Sequence, residues 1–299
     1  MNHKLKPYFN LAIKFSISAL LIGYLLYTQD VSSIINSLSH FKYSLLVPVL
    51  FLMFLGTFVS ALRWQKILAT SNYTVSVWLL YSLYIKGYLY SNFLPTQMGG
   101  DVYKALILGR KIQDNSTAVF SVFMDRFSGL VVLLALGIVG ISSIYGTAGL
   151  ILALIVLSAG LFLYLPILKF IDNYIGHKIS FIRKFLNASD LLFNNKKEAV
   201  LIIGYSLLIQ IISFSAAYLI FTGLNITLSL KDIFMYMPIA SLSSLIPSFN
   251  GFGTQEAVYA LLFSNAGVTN ETAITASIIM HFCRLVLSIT GGILILFGF

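Results

Sequence analysis

Residues 95–101 read PTQMGGD, and residues 247–256 read PSFNGFGTQE. Each stretch begins with a proline at the end of an apolar run, continues through glycines and ends on a carboxylate. Proline and glycine both disfavour a helix interior, since proline lacks an amide donor and glycine loses more backbone entropy on folding than other residues. The two stretches therefore predict breaks in sequence that is otherwise helical and apolar.

The sequence around these breaks is typical of an integral membrane protein. The chain of 299 residues is 58% hydrophobic and only 10% charged, and its mean hydropathy is +0.90. Most of its apolar runs approach the roughly 20 residues that a helix needs to cross a bilayer. The runs are 11–27, 44–62, 75–94, 118–145, 148–168, 199–224, 233–246 and 273–299. We expect an all-α polytopic bundle with about eight membrane segments, forming one transmembrane domain over residues 1–299.

Motifs for soluble catalytic chemistry are missing from the sequence. It has no P-loop, no HExxH and no GxSxG, and the glycines of GFG at 251–253 do not follow a strand. The only cysteine, Cys283, lies in an apolar run, so a disulfide framework and a thiolate metal cluster are both excluded. We therefore expect no catalytic residue, no metal and no cofactor.

The basic residues indicate how the chain is oriented in the membrane. The net charge of +9 could suggest nucleic acid as a partner, but lysine and arginine beside membrane helices usually mark the cytoplasmic side. Lys4 and Lys6 place the N-terminus inside, and Arg63 with Lys66 return to that side. Residues 169–198 contain six basic side chains and are predicted to form a basic cytoplasmic loop. Nucleic acid is therefore not expected as a partner.

This orientation constrains the two broken stretches. For residues 169–198 to be cytoplasmic, each break must belong to a re-entrant hairpin, one near 92–111 and one near 246–263. Both termini then lie in the cytoplasm, and the hairpins enter from opposite faces, as in inverted repeats spanning 1–145 and 199–299. DVYKAL at 101–106 weakly matches EAVYAL at 256–261. The predicted break positions are Pro95, Gly99, Gly100, Pro247, Gly251 and Gly253.

Ionisable residues at membrane depth cost about 2.5–3.5 kcal/mol each on insertion scales, so they usually face a partner or a wet cavity. Asp101 and Glu256, at the first turns of the half-helices, admit two interpretations. They either cap helices or form salt bridges with Arg126 and Arg284, or they belong to a charge-balanced pocket. In such a pocket arginine binds a lipid phosphate, and a carboxylate binds a cationic group or exchanges a proton.

Neighbouring side chains on the same helices leave further alternatives. Asp125 and Arg126 are adjacent and point about 100° apart on a helix, so each should find a separate partner. Arg63 is either part of the pocket or an interfacial anchor beside Trp64. His281, on the same helical face as Arg284, is either a buried packing residue or a proton relay.

Four motifs carry a family resemblance: ALRWQKIL at 61–68, NFLPTQMGGDVYKALILGRK at 92–111, VFMDRFSGL at 122–130 and IPSFNGFGTQEAVYALL at 246–262. In this order they resemble the transmembrane region of lysylphosphatidylglycerol synthases and its stand-alone relatives, often called flippase-like domain proteins. The resemblance implies a multi-pass bacterial or archaeal inner-membrane protein with broken re-entrant helices. Asp101 stands where many relatives have glutamate, which keeps the charge but shortens its reach.

The resemblance also implies a function and a set of site residues. In the two-part synthases a C-terminal soluble domain transfers the amino acid to phosphatidylglycerol, and the membrane part moves the product between leaflets. The sequence to Phe299 contains no such domain, so we do not expect aminoacyl transfer from it. The positions expected around a lipid headgroup are Arg63, Asp101, Lys104, Arg110, Asp125, Arg126, Glu256 and Arg284.

The leading hypothesis is translocation of an anionic or zwitterionic lipid, either an aminoacylated phospholipid or a polyprenyl-phosphate-linked sugar, through a polar cavity between the hairpins. A glycosyltransferase or an aminoacyltransferase is the expected protein partner, and the oligomeric state stays open. The alternative is a membrane enzyme or accessory subunit in glycolipid or aminoacyl-lipid synthesis. A scaffold with purely structural charges is a third possibility.

Overall fold

The computed structural model of the chain describes residues 30–93, 99–171, 195–243 and 251–297, together with residues 20, 23, 24, 27 and 248. At residues 92–93, 141–145, 149–150, 152–154 and 156–171 it describes the backbone alone. The regular structure of these residues is helical, with no strand among them. The expected all-α membrane bundle is therefore confirmed. Pro95, Pro247 and most of the basic loop 169–198 lie outside the described residues.

The helices of the described part are numbered here in chain order. They are α1 Val31–Ser39, α2 Leu46–Thr70, α3 Val77–Phe93, α4 Gly99–Ile112, α5 Asn115–Ile171, α6 Lys196–Gly223, α7 Leu230–Leu242, α8 Thr254–Phe263 and α9 Asn270–Leu296. Short 3-10 turns, Tyr43–Leu45 and Ser264–Ala266, precede α2 and follow α8. Non-helical backbone at Gly146 (φ 61°, ψ −145°) interrupts α5, between the predicted runs 118–145 and 148–168.

Four described helical segments are long and apolar enough to cross a membrane: Tyr43–Thr70, Asn115–Gly140, Lys196–Gly223 and Asn270–Leu296. The helices that follow the two predicted breaks are shorter, with 14 residues in α4 and 10 in α8. At 1.5 Å per residue they extend about 21 Å and 15 Å, less than the roughly 30 Å of a hydrocarbon core. These lengths suit half-helices, and the re-entrant hairpins and inverted repeats stay predictions.

Side-chain caps set several helix starts. Asp30 accepts the Ser32 amide (3.0 Å) at the start of α1, a helix that the apolar runs do not predict. Ser229 and Asp232 form a reciprocal capping box at the start of α7. Thr269 caps α9 by accepting from the Thr272 amide. These caps satisfy amides that have no partner within the first helical turn.

The chain folds into two compact units, each built from segments distant in sequence. The first unit contains Gly56–Tyr84 and Asp101–Ile211, and the second contains Met1–Leu55, Ile85–Gly100 and Ile212–Phe299. The domain boundaries predicted from the sequence, with pseudo-repeats over 1–145 and 199–299, stay predictions.

The core of the first unit surrounds Trp64 on α2. The Trp64 side chain is fully buried, and its indole N–H donates to the Ser121 hydroxyl on α5 at 2.9 Å. Buried leucines from α3 and α4, including Leu80 and Leu108, belong to the same cluster. This packing fixes α2, α4 and α5 against one another, and these three helices carry the charged residues described below.

The second unit is packed around α8 and α9. Aromatic rings from α6, α7 and α8 meet in it, with Phe221 and Phe263 centroids 4.5 Å apart and Tyr236 edge-on to Phe263 at 5.6 Å. Farther along α9, Gly291 lies against the backbone of α3, where a Cβ atom would collide with the Ile85 carbonyl oxygen. A residue larger than glycine at 291 would therefore separate the two helices.

Candidate functional site

Five of the predicted site residues come together in the first unit. Arg63 on α2, Asp101 and Lys104 on α4, and Asp125 and Arg126 on α5 form one network of ion pairs, called here the five-charge cluster. Asp125 lies ten residues into α5, about 15 Å from its start, or half the thickness of a hydrocarbon core.

The pair between Arg63 and Asp125 lies in the buried part of the cluster. Arg63 Nε and Nη2 lie 3.0 Å and 2.9 Å from Asp125 Oδ1, and the two side chains are only 8% and 2% exposed. Arg63 Nη1 donates to the Ser206 hydroxyl on α6 at 3.0 Å. A Cβ atom on Gly129 would lie 3.1 Å from Nη1, so glycine at this position leaves room for the guanidinium. Arg63 is therefore a buried network residue.

Lys104 is held between the two carboxylates. Its Nζ atom lies 2.9 Å from Asp101 Oδ1 and 3.9 Å from Asp125 Oδ2, and its side chain is 3% exposed. The ammonium also lies 3.9 Å from the centroid of the Tyr84 ring and 5.3 Å from that of Trp64, distances at which aromatic faces attract a cation. The Tyr84 hydroxyl donates to Asp125 Oδ2. Lys104 therefore links the Asp125 side of the cluster to the Asp101 side.

Arg126 is the exposed member of the cluster. Its Nε donates to Asp101 Oδ2 at 2.8 Å and its Nη2 to Oδ1 at 3.2 Å, a bidentate pair in which Asp101 is 13% exposed and the arginine side chain 64%. Asp125 and Arg126 thus have separate partners, as their 100° separation predicts. The pairing of Asp101 with Arg126, one of the two interpretations of Asp101, is present.

The charges of this cluster do not cancel. Three cations face two carboxylates, so the fully ionised cluster carries one net positive charge. Buried charge without a counter-charge is unfavourable, and an anion beside the cluster would neutralise it. Arg126 has the most exposed side chain of the three cations, 64%.

A second group of polar side chains lies in the second unit, around Glu256 on α8. His281 Nε2 on α9 lies 3.0 Å from Glu256 Oε1, and the Ser277 hydroxyl donates to the same oxygen at 3.2 Å. The Gly253 amide donates to Glu256 Oε2 at 2.7 Å, so Glu256 caps its own helix. The Phe252 ring stacks on the imidazole with centroids 4.2 Å apart. This group is called the Glu256–His281 pair.

Arg284 departs from the expected arrangement. An ion pair with Glu256 was one of the two arrangements predicted for it, but its Nη1 donates to the neutral Gln255 amide oxygen at 2.8 Å. Glu256 is engaged by His281 and by its own helix start, which explains the difference. In the part of the chain that the structure describes, no carboxylate lies within 4.0 Å of the Arg284 guanidinium.

Arg110 lies apart from both groups. It is exposed in the last turn of α4, six residues after Lys104, which corresponds to about 9 Å along the helix axis. Its assignment to a headgroup site stays a prediction.

The glycines at the two breaks serve different purposes. Gly251 and Gly253 have φ angles of 84° and 82°, in a region that glycine alone adopts without strain, so the backbone turns sharply before α8. Gly99 and Gly100 instead form the first turn of α4. A Cβ atom on Gly100 would collide with the Gly87 carbonyl oxygen, so this glycine allows a close backbone approach.

Several residues of these groups were missed in the sequence analysis as parts of a site. Tyr84 stands in a segment rich in tyrosine, and Ser206 and Ser277 stand in long apolar helices, so no local pattern distinguishes them. Gln255 could have been found, because it immediately precedes Glu256 in the quoted stretch.

The geometry of these residues does not by itself assign the chain to a protein family, but a comparison with known families does. The family model described as Lysylphosphatidylglycerol synthase TM region matches residues 11–292, nearly the whole chain. The chain belongs to this family. The resemblance inferred from the four motifs is therefore confirmed. No curated protein and no solved structure matches the chain.

Membership of the lysylphosphatidylglycerol synthase TM region family makes this chain a membrane protein of a lipid-related family. Both polar groups lie within the matched residues, from Arg63 in the first unit to Arg284 in the second. The type of cell and the side on which the termini lie stay predictions.

Proposed function

We propose that this member of the lysylphosphatidylglycerol synthase TM region family moves lipids between membrane leaflets. The substrate would be an anionic or zwitterionic phospholipid, or a lipid linked through polyprenyl phosphate. The observation that carries the proposal is the five-charge cluster, with its net positive charge and its exposed Arg126. A lipid enzyme that acts before or after translocation, such as an aminoacyltransferase or a glycosyltransferase, would be the partner.

The geometry of Arg126 suits a phosphate. A guanidinium has five N–H donors in a planar fork, and Asp101 accepts two of them. Three donors stay available on the exposed part of the side chain, enough for a bidentate bond to a phosphodiester. Because Asp101 holds the guanidinium in place, less side-chain entropy is lost when the phosphate binds.

Lys104 and the Arg63–Asp125 pair would support this step. Lys104 is bound to Asp101, so it continues to neutralise that carboxylate when Arg126 also binds a phosphate. Arg63 and Asp125 hold α2 and α5 together beneath it. A headgroup that carries an amine, as in an aminoacylated phospholipid, would bring its cation toward Asp101. Asp101, already bound by Arg126 and Lys104, would share its charge with this amine.

Translocation of a tail-labelled fluorescent phosphatidylglycerol in proteoliposomes tests the proposal, with an external quencher reporting the label that reaches the outer leaflet. The wild-type protein should exchange the lipid faster than empty liposomes do. Arg126→Gln should lower the exchange rate at least tenfold, because it removes the charge that would bind phosphate. Arg126→Lys keeps the charge and should retain part of the wild-type rate. Lys111→Gln removes an exposed charge from the end of α4 and should leave the rate unchanged.

Two outcomes contradict the proposal. Wild-type exchange no faster than that of empty liposomes excludes translocation of this lipid. An Arg126→Gln rate equal to wild type, in protein whose folding is shown by size-exclusion chromatography, excludes the assigned role of the cluster.

A further inference from the structure

We infer that the Glu256–His281 pair is a proton-binding site and that binding of an anionic lipid near Arg284 is accompanied by uptake of one proton on this pair. The inference rests on the proposed function, because it adds a coupling ion to lipid translocation. Its structural evidence comes from contacts in the second unit and does not involve the five-charge cluster.

Glu256 is arranged to stay ionised. Its carboxylate accepts from the Gly253 amide at 2.7 Å and from the Ser277 hydroxyl at 3.2 Å, and His281 Nε2 lies 3.0 Å from Oε1. Donors directed at both oxygens stabilise the charged form of a carboxyl group. A proton that the pair takes up therefore binds to the imidazole of His281 and not to Glu256.

His281 has one ring nitrogen for this proton. A neutral imidazole has one protonated ring nitrogen and one with a lone pair, and an added proton converts the ring to imidazolium while Nε2 stays 3.0 Å from Glu256 Oε1. The Phe252 ring, stacked at an interplanar angle of 13°, covers one face of the imidazole with electron density that also favours the cation. Both side chains of the pair are nearly covered by protein, 4% exposed for His281 and 7% for Glu256.

The remaining charged groups around the pair are few. Arg284 lies one turn along α9 from His281, and α1, which packs on α9, contains no ionisable residue. The other ionisable residues on α8 and α9 are Tyr259, Glu271 and Cys283. Those on the further helices that contact α8 or α9 are Tyr81, Tyr84, Lys86, Tyr88 and Tyr90 on α3, Lys196, Lys197, Glu198, Tyr205 and Tyr218 on α6, and Lys231, Asp232 and Tyr236 on α7. Lys231 is exposed and Asp232 is partly exposed in the capping box of α7, and Glu271 lies in the first turn of α9.

Charge balance links the proton to an anion. With neutral His281, the charges of Glu256 and Arg284 cancel. The Arg284 guanidinium donates to the Gln255 amide oxygen through Nη1, and its other N–H groups could donate to a phosphate. A bound phosphodiester adds one negative charge, and a proton on His281 restores neutrality. By linkage, the anion then raises the affinity for the proton, and the proton raises the affinity for the anion by the same factor.

Calorimetry measures this linkage directly. Short-chain phosphatidylglycerol is titrated into the full-length protein in detergent at pH 7.5, in buffers with different ionisation enthalpies. We expect the wild type to take up close to one proton per protein at saturation, and His281→Gln and Glu256→Gln to take up almost none. Lys231→Gln should match the wild type, since the residue lies outside the pair. Binding by the wild type without proton uptake overturns the inference, and so does equal uptake by His281→Gln.

A second measurement separates this inference from the proposed function. Lipid exchange in proteoliposomes is recorded with and without a pH gradient across the membrane. A gradient should accelerate net movement by the wild type severalfold and have no effect on His281→Gln. An equal rate of lipid exchange with and without the gradient overturns the proposed coupling to protons, but it does not contradict the proposed translocation. Proton-linked binding without any exchange supports the site and contradicts the proposed function.

Discussion

Arg63 and Asp125, 62 residues apart in sequence, form an ion pair in which two guanidinium nitrogens share Asp125 Oδ1 at 3.0 Å and 2.9 Å. This arrangement leaves Oδ2 to the Tyr84 hydroxyl and, at 3.9 Å, to Lys104. One carboxylate therefore compensates cations from two other helices. Removal of the Asp125 carboxylate would therefore take a partner from both Arg63 and Lys104.

Asp125→Asn should destabilise the protein by about 3–5 kcal/mol, because it leaves Arg63 buried without a counter-charge. Unfolding by denaturant in detergent, followed by tryptophan fluorescence, measures the loss, since Trp64 lies buried on α2 next to Arg63. The control Lys111→Gln should stay within about 0.5 kcal/mol of the wild type, as exposed substitutions do. Equal stability of Asp125→Asn and the control would show that Arg63 is compensated elsewhere.

The two residues of the Asp101–Arg126 pair should differ in their effect on stability. Arg126 is 64% exposed, so Arg126→Gln should cost no more than about 1 kcal/mol, as exposed ion pairs do. Asp101→Asn should cost clearly more, since it also removes the close partner of buried Lys104. The same unfolding experiment ranks the two variants, and the reverse order would contradict the roles given to these residues.

Two glycines in long helices should respond oppositely to alanine. A Cβ atom at Gly291 would meet the Ile85 carbonyl oxygen, a backbone atom that can move only with α3, so Gly291→Ala should cost about 1–3 kcal/mol. Gly204 on α6 has nothing within 4 Å of its Cβ position, so Gly204→Ala should be neutral or stabilise by up to about 1 kcal/mol. Thermal unfolding compares them, and equal shifts would contradict the close contact of α9 with α3.

The start of α1 should depend on pH. Hydrogen bonds from Ser32, and then from Ser33, lower the pKa of the Asp30 carboxyl below its ordinary value of 3.8. A lowered pKa in the folded state means that the cap contributes its full stability above pH 3.8 and loses it as the pH falls through the folded pKa.

A nitroxide label on Ile35→Cys, at an exposed position of α1, should therefore become more mobile at the acidic end of a titration from pH 6 to about pH 2. In Asp30→Ala the label should be mobile at every pH, and a label on Val200→Cys in α6 is the control. A pH response that persists in Asp30→Ala would assign the effect to another group.

Much of the helical architecture follows from the sequence because apolar length and helix breakers act locally. The run 199–224 predicts α6, the gap between two runs marks the turn at Gly146, and the glycines before Thr254 place the start of α8. The helix α1 was missed because it is too short to stand out as a membrane run. Its capping residue Asp30 and the two serines that follow were the available signal.

The sequence by itself determined that this chain is a helical membrane protein of a lipid-related family. It also identified the charged residues within apolar helices, where a charge is costly unless it has a partner or contacts water. The tertiary structure decided which charges meet: Asp101 with Arg126 and Lys104, Asp125 with Arg63, and Glu256 with His281 in place of Arg284. The cause is physical, since a charge at membrane depth is costly wherever it stands, whereas its partner depends on which helix faces it after packing.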